Sequence, residues 1–129
     1  MTIVDTHVAI WMVSAPERLS RPALRRLREA PTTGGLGIAS VSLFEIALLV
    51  TRGRLRVQSP LETLLEEICQ HFAVRSISAR IAAAAARFTD PYPRDPIDRI
   101  IGATAIAERV PLVTANEPIR RSGQVQTIW

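Results

Sequence analysis

Three carboxylates lie within apolar runs: Asp5 in TIVDTHVAIWM, Glu45 in ASVSLFEIALLV and Asp98 in DPIDRIIGATAIA. An isolated buried carboxylate takes up a proton or costs several kcal/mol, so acids in such settings are normally paired or bound to a cation. Three in one small chain point to convergence on a shared cation. An all-oxygen ligand set suits Mg²⁺ or Mn²⁺ and not zinc. The chemistry such a cluster supports is metal-dependent attack on a phosphate ester.

The elements that must position these acids follow from the pattern along the chain. Residues 2–6 (TIVDT) read as a short buried strand with Asp5 at its carboxyl end, and HVAIWMVS as the helix after it. Ser20 caps a helix running to Ala30, with Pro22 in its first turn. LGIAS (36–40) is a second strand, followed by the helix that carries Glu45, for which Ser42 is the expected N-cap and Gly53 the stop. Residues 60–72 form an amphipathic helix, 73–77 a third strand, and an alanine-rich helix begins at Ser78. After the Pro-interrupted TDPYPRDP loop come a helix over about 96–109 with Asp95 as its cap, a strand at 110–115 and a further strand at 125–129. Alternating strands and helices specify an α/β fold, a mainly parallel sheet of 4–5 strands with helices on both faces, over a single domain 1–129. In such sheets, functional groups gather outside the carboxyl ends of the strands. Asp5, Glu45 and Asp98 would all meet at that edge, and helix N-termini favour their negative charge.

With 129 residues, 47% hydrophobic and 22% charged, the chain has the make-up of one ordered domain. Its longest apolar stretches are too short and too acidic to span a bilayer, and no export signal opens it. Cys69 is the only cysteine, so an intrachain disulfide is excluded and a cytoplasmic setting is expected. The formal charge of +4 favours a polyanionic partner. All 16 basic residues are arginine. The absence of lysine rules out a Walker A phosphate loop and a Schiff-base enzyme.

Each acid also has a plainer role open to it. Ser42-x-x-Glu45 matches a capping box, and Asp98 could be a first-turn dipole partner ion-paired to Arg99 or Arg94. Asp5 has the weakest such alternative, because an Asp-Thr-His step after a buried strand is where α/β enzymes place ligands.

Taken together, VDTHVAIW, ASVSLFEIALLVTRGRL, RDPIDRIIGATAI and PLVTANE resemble the PIN-domain ribonucleases, in particular the VapC-type toxins of toxin–antitoxin pairs. The resemblance runs from residue 2 to about 120, with the four blocks in the family's order. It implies an α/β/α sandwich, Mg²⁺- or Mn²⁺-dependent endonucleolytic cleavage of RNA, a homodimer, and silencing by a cognate antitoxin. Asp5, Glu45 and Asp98 fall on the family's metal-binding acids, and Thr114 on a Ser/Thr that holds water beside the metal. Where the family frequently has a fourth acid this chain has Asn116, a weaker ligand lacking the charge. An alternative reading is thus a catalytically weakened PIN-like module that keeps antitoxin or RNA binding. Phosphatases needing Asp-x-Asp at the first strand fit less well, since position 7 is His, and receiver domains need a lysine.

Smaller signals complete the set. Thr6 and His7 flank the first acid and are candidates to position water or substrate, a packing role being the alternative for His7. Arg52, Arg54, Arg56 and Arg99 are candidates for RNA phosphate contacts, with a solvated turn the competing account for the first three. Trp11 and Trp129 read as core or interface residues, because neither sits in a basic aromatic cluster along the chain. The leucines of the Glu45 helix and of 60–72 are core, or a dimer or antitoxin surface.

Overall fold

Five short parallel strands form the centre of the computed structural model, which describes all residues 1–129. They are β1 (Thr2–Val4), β2 (Leu36–Ala39), β3 (Ala73–Arg75), β4 (Leu112–Val113) and β5 (Thr127–Ile128), in the order β3-β2-β1-β4-β5. Register pairs Ile3 with Gly37 on one side and Leu112 on the other. Seven α-helices surround the sheet: α1 (Thr6–Ser14), α2 (Arg21–Arg28), α3 (Ser40–Thr51), α4 (Leu61–His71), α5 (Ala79–Arg87), α6 (Pro96–Glu108) and α7 (Glu117–Ser122).

Strand side chains alternate between faces, and the core divides accordingly. Ile3, Ala39 and Leu112 pack with Ile81, Ile101 and Ile119 of α5, α6 and α7. Val4, Ile38 and Val113 pack on the other face with Val8 and Ala9 of α1 and Ala23 and Leu27 of α2, joined by Ile68 of α4. The expected α/β/α layering is present, with all pairings parallel.

Several helix ends follow the sequence signals closely. Ser20 and Ser78 accept from Ala23 N–H and Ile81 N–H, and Asp95 from Ile97 and Asp98 N–H. Gly53, just past α3, has φ +72°, a conformation open to glycine at little cost. One expected cap is corrected. Helix α3 starts at Ser40 directly off β2, with Ala39 at the N-cap making no side-chain bond. Ser42 is fully buried inside the first turn, and its hydroxyl accepts from Thr6 Oγ1 at 2.9 Å. The capping-box role for Glu45 therefore falls away. Helix α7 was not anticipated: Asn116 caps it, with Pro118 in its first turn and Gly123 at its end.

Candidate active site

Strand order reverses around β1, since β2 lies on one side and β4 on the other. The connections that follow β1 and β4 leave to opposite faces of the sheet, α1 packing on one and α7 on the other, which opens the crevice where α/β sheets bind ligands. Asp5 follows β1 and Thr114 follows β4, so both border this crevice. Thr114 Oγ1 donates to Asp5 Oδ2 at 2.6 Å, and its oxygen accepts Asn116 N–H at 3.0 Å. Asp5 Oδ1 accepts Thr6 N–H at 2.8 Å and so caps α1. The Asp5 side chain is thereby fixed on two sides while only 3% exposed. His7 Nδ1 stands 3.7 Å from Asp5 Oδ2, and His7 Nε2 accepts Ala115 N–H at 2.9 Å. Burial lowers the His7 pKa, with Asp5 opposing and Arg18 reinforcing that shift, so the neutral ring that accepts from Ala115 is the favoured form.

Glu45 and Asp98 stand differently. Glu45 projects from the second turn of α3 and Asp98 from the first turn of α6, both partly buried. Burial pushes the Glu45 carboxyl up; Thr6 opposes this, and the charges of Asp5 and Asp95 add to it. The Thr6 hydroxyl has one proton to give, directed at Ser42 Oγ in the hydrogen-bond geometry, so its help to Glu45 is that of a competing donor. Burial, then the charges of Asp5, Asp95 and Glu45, raise Asp98 to about 7. No cation answers either acid. Arg94 pairs with Asp90 at 3.2 Å, whereas Arg99 Nε and Nη1 donate to the carbonyls of Pro93 and Ala85. The ion-pair account of Asp98 is thereby removed, and Arg99 is a brace of the α5–α6 connection with two donors already committed.

The acids thus feel one another across a single edge, but they do not form a finished cage: no three His, Cys, Asp or Glu side chains stand ready-made at metal-holding distances. Burial first, and repulsion among the neighbouring acids second, keep the carboxyls of Glu45 and Asp98 raised. Oxygen-only donors with uncompensated negative charge fit a hard divalent cation.

Other predicted residues have different placements. Asn116 Oδ1 accepts Ile119 N–H at 3.1 Å, so the oxygen proposed as a weak ligand already serves as the α7 cap. Arg52, Arg54 and Arg56 are exposed beyond the end of α3, where Arg52 follows Glu45 by about 10 Å of helix rise, and none of them makes a hydrogen bond or ion pair to the acids. Tyr92 was missed from sequence. It is buried, stacked on Phe88 with ring centroids 3.8 Å apart, and its hydroxyl donates to the Asp98 carbonyl at 2.6 Å. Gly102 permits this approach, because a Cβ there would lie 2.1 Å from the Tyr92 oxygen. Tyr92 thus pins the first turn of α6, and with it Asp98. An aromatic residue within a Pro-rich loop, followed by a helix containing glycine, was the available signal.

Away from the acids, a groove of about 370 Å³ runs between α1, α3 and α4, lined by residues such as Ile10, Met12, Leu64, Ile68 and Phe72. No helix is long and apolar enough to cross a membrane.

Comparison with known proteins agrees with this architecture. The PIN domain family model matches residues 2–123. Ribonuclease VapC22 of Mycobacterium tuberculosis is 33% identical over 129 residues, covering 98% of this chain and 97% of the relative. VapBC2 from Rickettsia felis, solved with a promoter DNA fragment, superposes with a TM-score of 0.74 at 16% identity, covering 98% of this chain and 96% of that one. DNA-bound VapBC from Salmonella typhimurium gives 0.68 at 20% identity, with 98% and 95% covered. The structural likenesses speak for the fold, and the family match and the relative for descent. This chain belongs to the PIN domain family.

Proposed function

We propose that this chain, as a single domain, is a metal-dependent RNA endonuclease and the toxin of a toxin–antitoxin pair. The observation that carries the reading is the pair of half-buried acids, Glu45 and Asp98, raised in pKa and without any cationic partner beside the clamped Asp5. Membership of the PIN family and the 33% identity to a ribonuclease support it. Asp5, Glu45 and Asp98 would hold Mg²⁺ or Mn²⁺, which when bound polarises the phosphoryl group and offsets charge on the leaving oxygen. Thr114 and Thr6 hold Asp5 in one orientation, so that one ligand is positioned before substrate arrives. Tyr92 does the same for Asp98 through its backbone. His7, held by Ala115 N–H, borders the acids and orients the strand entering the crevice.

The apolar groove between α1, α3 and α4, with Val13 at 85% exposed beside it, suits an apolar segment of the cognate antitoxin. A homodimer and a cytoplasmic setting belong to the same reading. Purified chain should cut single-stranded RNA with Mg²⁺ or Mn²⁺, stop cutting in chelator, and be inhibited by the protein encoded beside it. A chain that binds that protein yet never cuts RNA with either metal would favour the weakened-module reading instead.

A further inference from the structure

Read from sequence as core or interface residues, the two tryptophans meet in the structure, in a row of rings whose other end, His7, adjoins Asp5. Trp11 lies one helical turn after His7 on α1, so both face the same side of the helix. Their ring centroids are 4.9 Å apart at an interplanar angle of 56°, and Trp129 follows 5.9 Å from Trp11 at 55°. Over the Trp11 ring sits the Arg18 guanidinium, its central carbon 4.1 Å from the centroid. Arg18 is exposed, while His7, Trp11 and Trp129 are each half-buried. None of these rings is stacked flat on its neighbour, the arrangement that would close a face to a visitor. The row begins at His7, 3.7 Å from the Asp5 carboxylate.

A packing role alone explains the tryptophans but not the arginine. An exposed guanidinium held over an indole keeps a side open to solvent, and unpaired bases stack on guanidinium planes and on aromatic rings. Arg52, Arg54 and Arg56 lie beyond the far end of α3, whereas Arg18 adjoins the row that leads to Asp5. We propose that Arg18 and Trp11, continued by His7 toward Asp5, form a stacking platform that holds an unpaired base of single-stranded RNA next to the cleaved phosphate. The proposal rests on the ribonuclease reading for the identity of its ligand, and adds that the substrate must present an unstacked base there. The platform positions substrate and takes no part in bond cleavage.

The two tryptophans make the test direct, since they are the only ones in the chain. A mixed-sequence single-stranded RNA of about 12 nucleotides, within the span of such sites, is titrated into the full chain in chelator, where the strand stays intact. Saturable quenching of tryptophan fluorescence is expected, and it should persist in Trp129→Phe, where Trp11 is the sole indole. Arg18→Ala should weaken RNA binding by about tenfold, and Trp11→Leu by at least as much, with Trp11→Phe recovering most of it. Arg18→Lys should not restore binding, since an ammonium keeps the charge and loses the planar face. With metal present, Arg18→Ala should raise KM with kcat unchanged. Because Arg18 is exposed, its variants are expected to fold, which circular dichroism checks. Absence of quenching in Trp129→Phe, wild-type affinity in Arg18→Ala, or full rescue by Arg18→Lys would each overturn the platform. A chain that quenches in this pattern but never cuts RNA keeps the platform and contradicts the nuclease reading. One that cuts RNA with KM unmoved by Arg18→Ala does the reverse.

Discussion

Asp5 and Asp98 are both aspartates at the start of helices on one edge of the sheet, yet their surroundings are opposite. Asp5 is 3% exposed and accepts from Thr6 N–H and Thr114 Oγ1. Asp98 has no side-chain donor and no ion pair, and burial beside other acids lifts it to about 7. Glu45 belongs with Asp98, its carboxyl pushed up by burial first and neighbouring charge second. One half of the site is satisfied by the protein itself; the other half lacks a positive partner. A group in the first state contributes to folding, whereas one in the second weakens the fold and is explained by what it binds. The contrast separates the residues that shape the site from those that complete it.

The largest expected effect comes from removing charge at the clamped acid. Asp5→Asn keeps an oxygen for the Thr6 cap, so the chain should fold, while RNA cleavage falls by at least about 100-fold, as loss of several kcal/mol of metal-supplied stabilisation requires. Cleavage followed on gels, with thermal melting alongside, checks both halves. Full activity in a folded variant would remove Asp5 from the ligand set.

Next come substitutions that should drive the two halves of the site apart. Thr114→Val deletes the hydroxyl that Asp5 accepts from and that Asn116 N–H donates to, so stability should fall by about 1–3 kcal/mol. Glu45→Gln and Asp98→Asn remove unanswered charge, so metal-free stability should stay level or rise even as cleavage is lost. Denaturant melts of the three variants in chelator decide this. If Asp98→Asn destabilises as Thr114→Val does, the contrast between the halves is wrong.

The same logic fixes a pH dependence. Asp98 titrates near 7 in the folded chain against the usual 3.8. Between those values the folded state holds a proton that the unfolded state has released, so raising the pH through this window lowers stability. Glu45 is shifted in the same direction. Melting temperature in chelator should therefore decline from about pH 5 to pH 8, more shallowly in Asp98→Asn, and Mg²⁺ should restore much of the loss at the upper end. A decline that is equally steep in Asp98→Asn would assign the effect to other groups.

These features differ in how far they could be read from the chain. The strand and helix alternation, the Ser20, Ser78 and Asp95 caps and the three acids are local signals: apolar runs, cap residues and charges out of place. The start of α3 is not encoded locally, since a Ser-x-x-Glu spacing looks the same whether Ser42 caps a helix or is buried inside it under Thr6. Only the strand leading straight into the helix distinguishes the two. The roles of Tyr92, Arg18 and Arg99 depend on contacts between elements, which spacing along the chain does not encode. Helix α7 is six residues long, too short for periodicity to register, although its Asn cap, proline and closing glycine were all visible.

The smallest expected effect is at Asn116. Aspartate is an equally good helix cap, so Asn116→Asp should leave α7 intact while adding a charged oxygen near the acids. Mn²⁺ affinity by calorimetry should rise by no more than about tenfold, because the capping oxygen stays committed. A larger gain would mean that position 116 turns inward as a full ligand.

The account stands or falls on whether Asp5, Glu45 and Asp98 close on one cation. Anomalous diffraction from crystals grown with Mn²⁺ measures this directly. A peak with carboxylate oxygens of all three at ligand distances of about 2.0–2.3 Å, Glu45 and Asp98 having moved inward toward a largely unmoved Asp5, is the predicted result. A peak elsewhere, or one with Glu45 or Asp98 outside ligand distance, would contradict it.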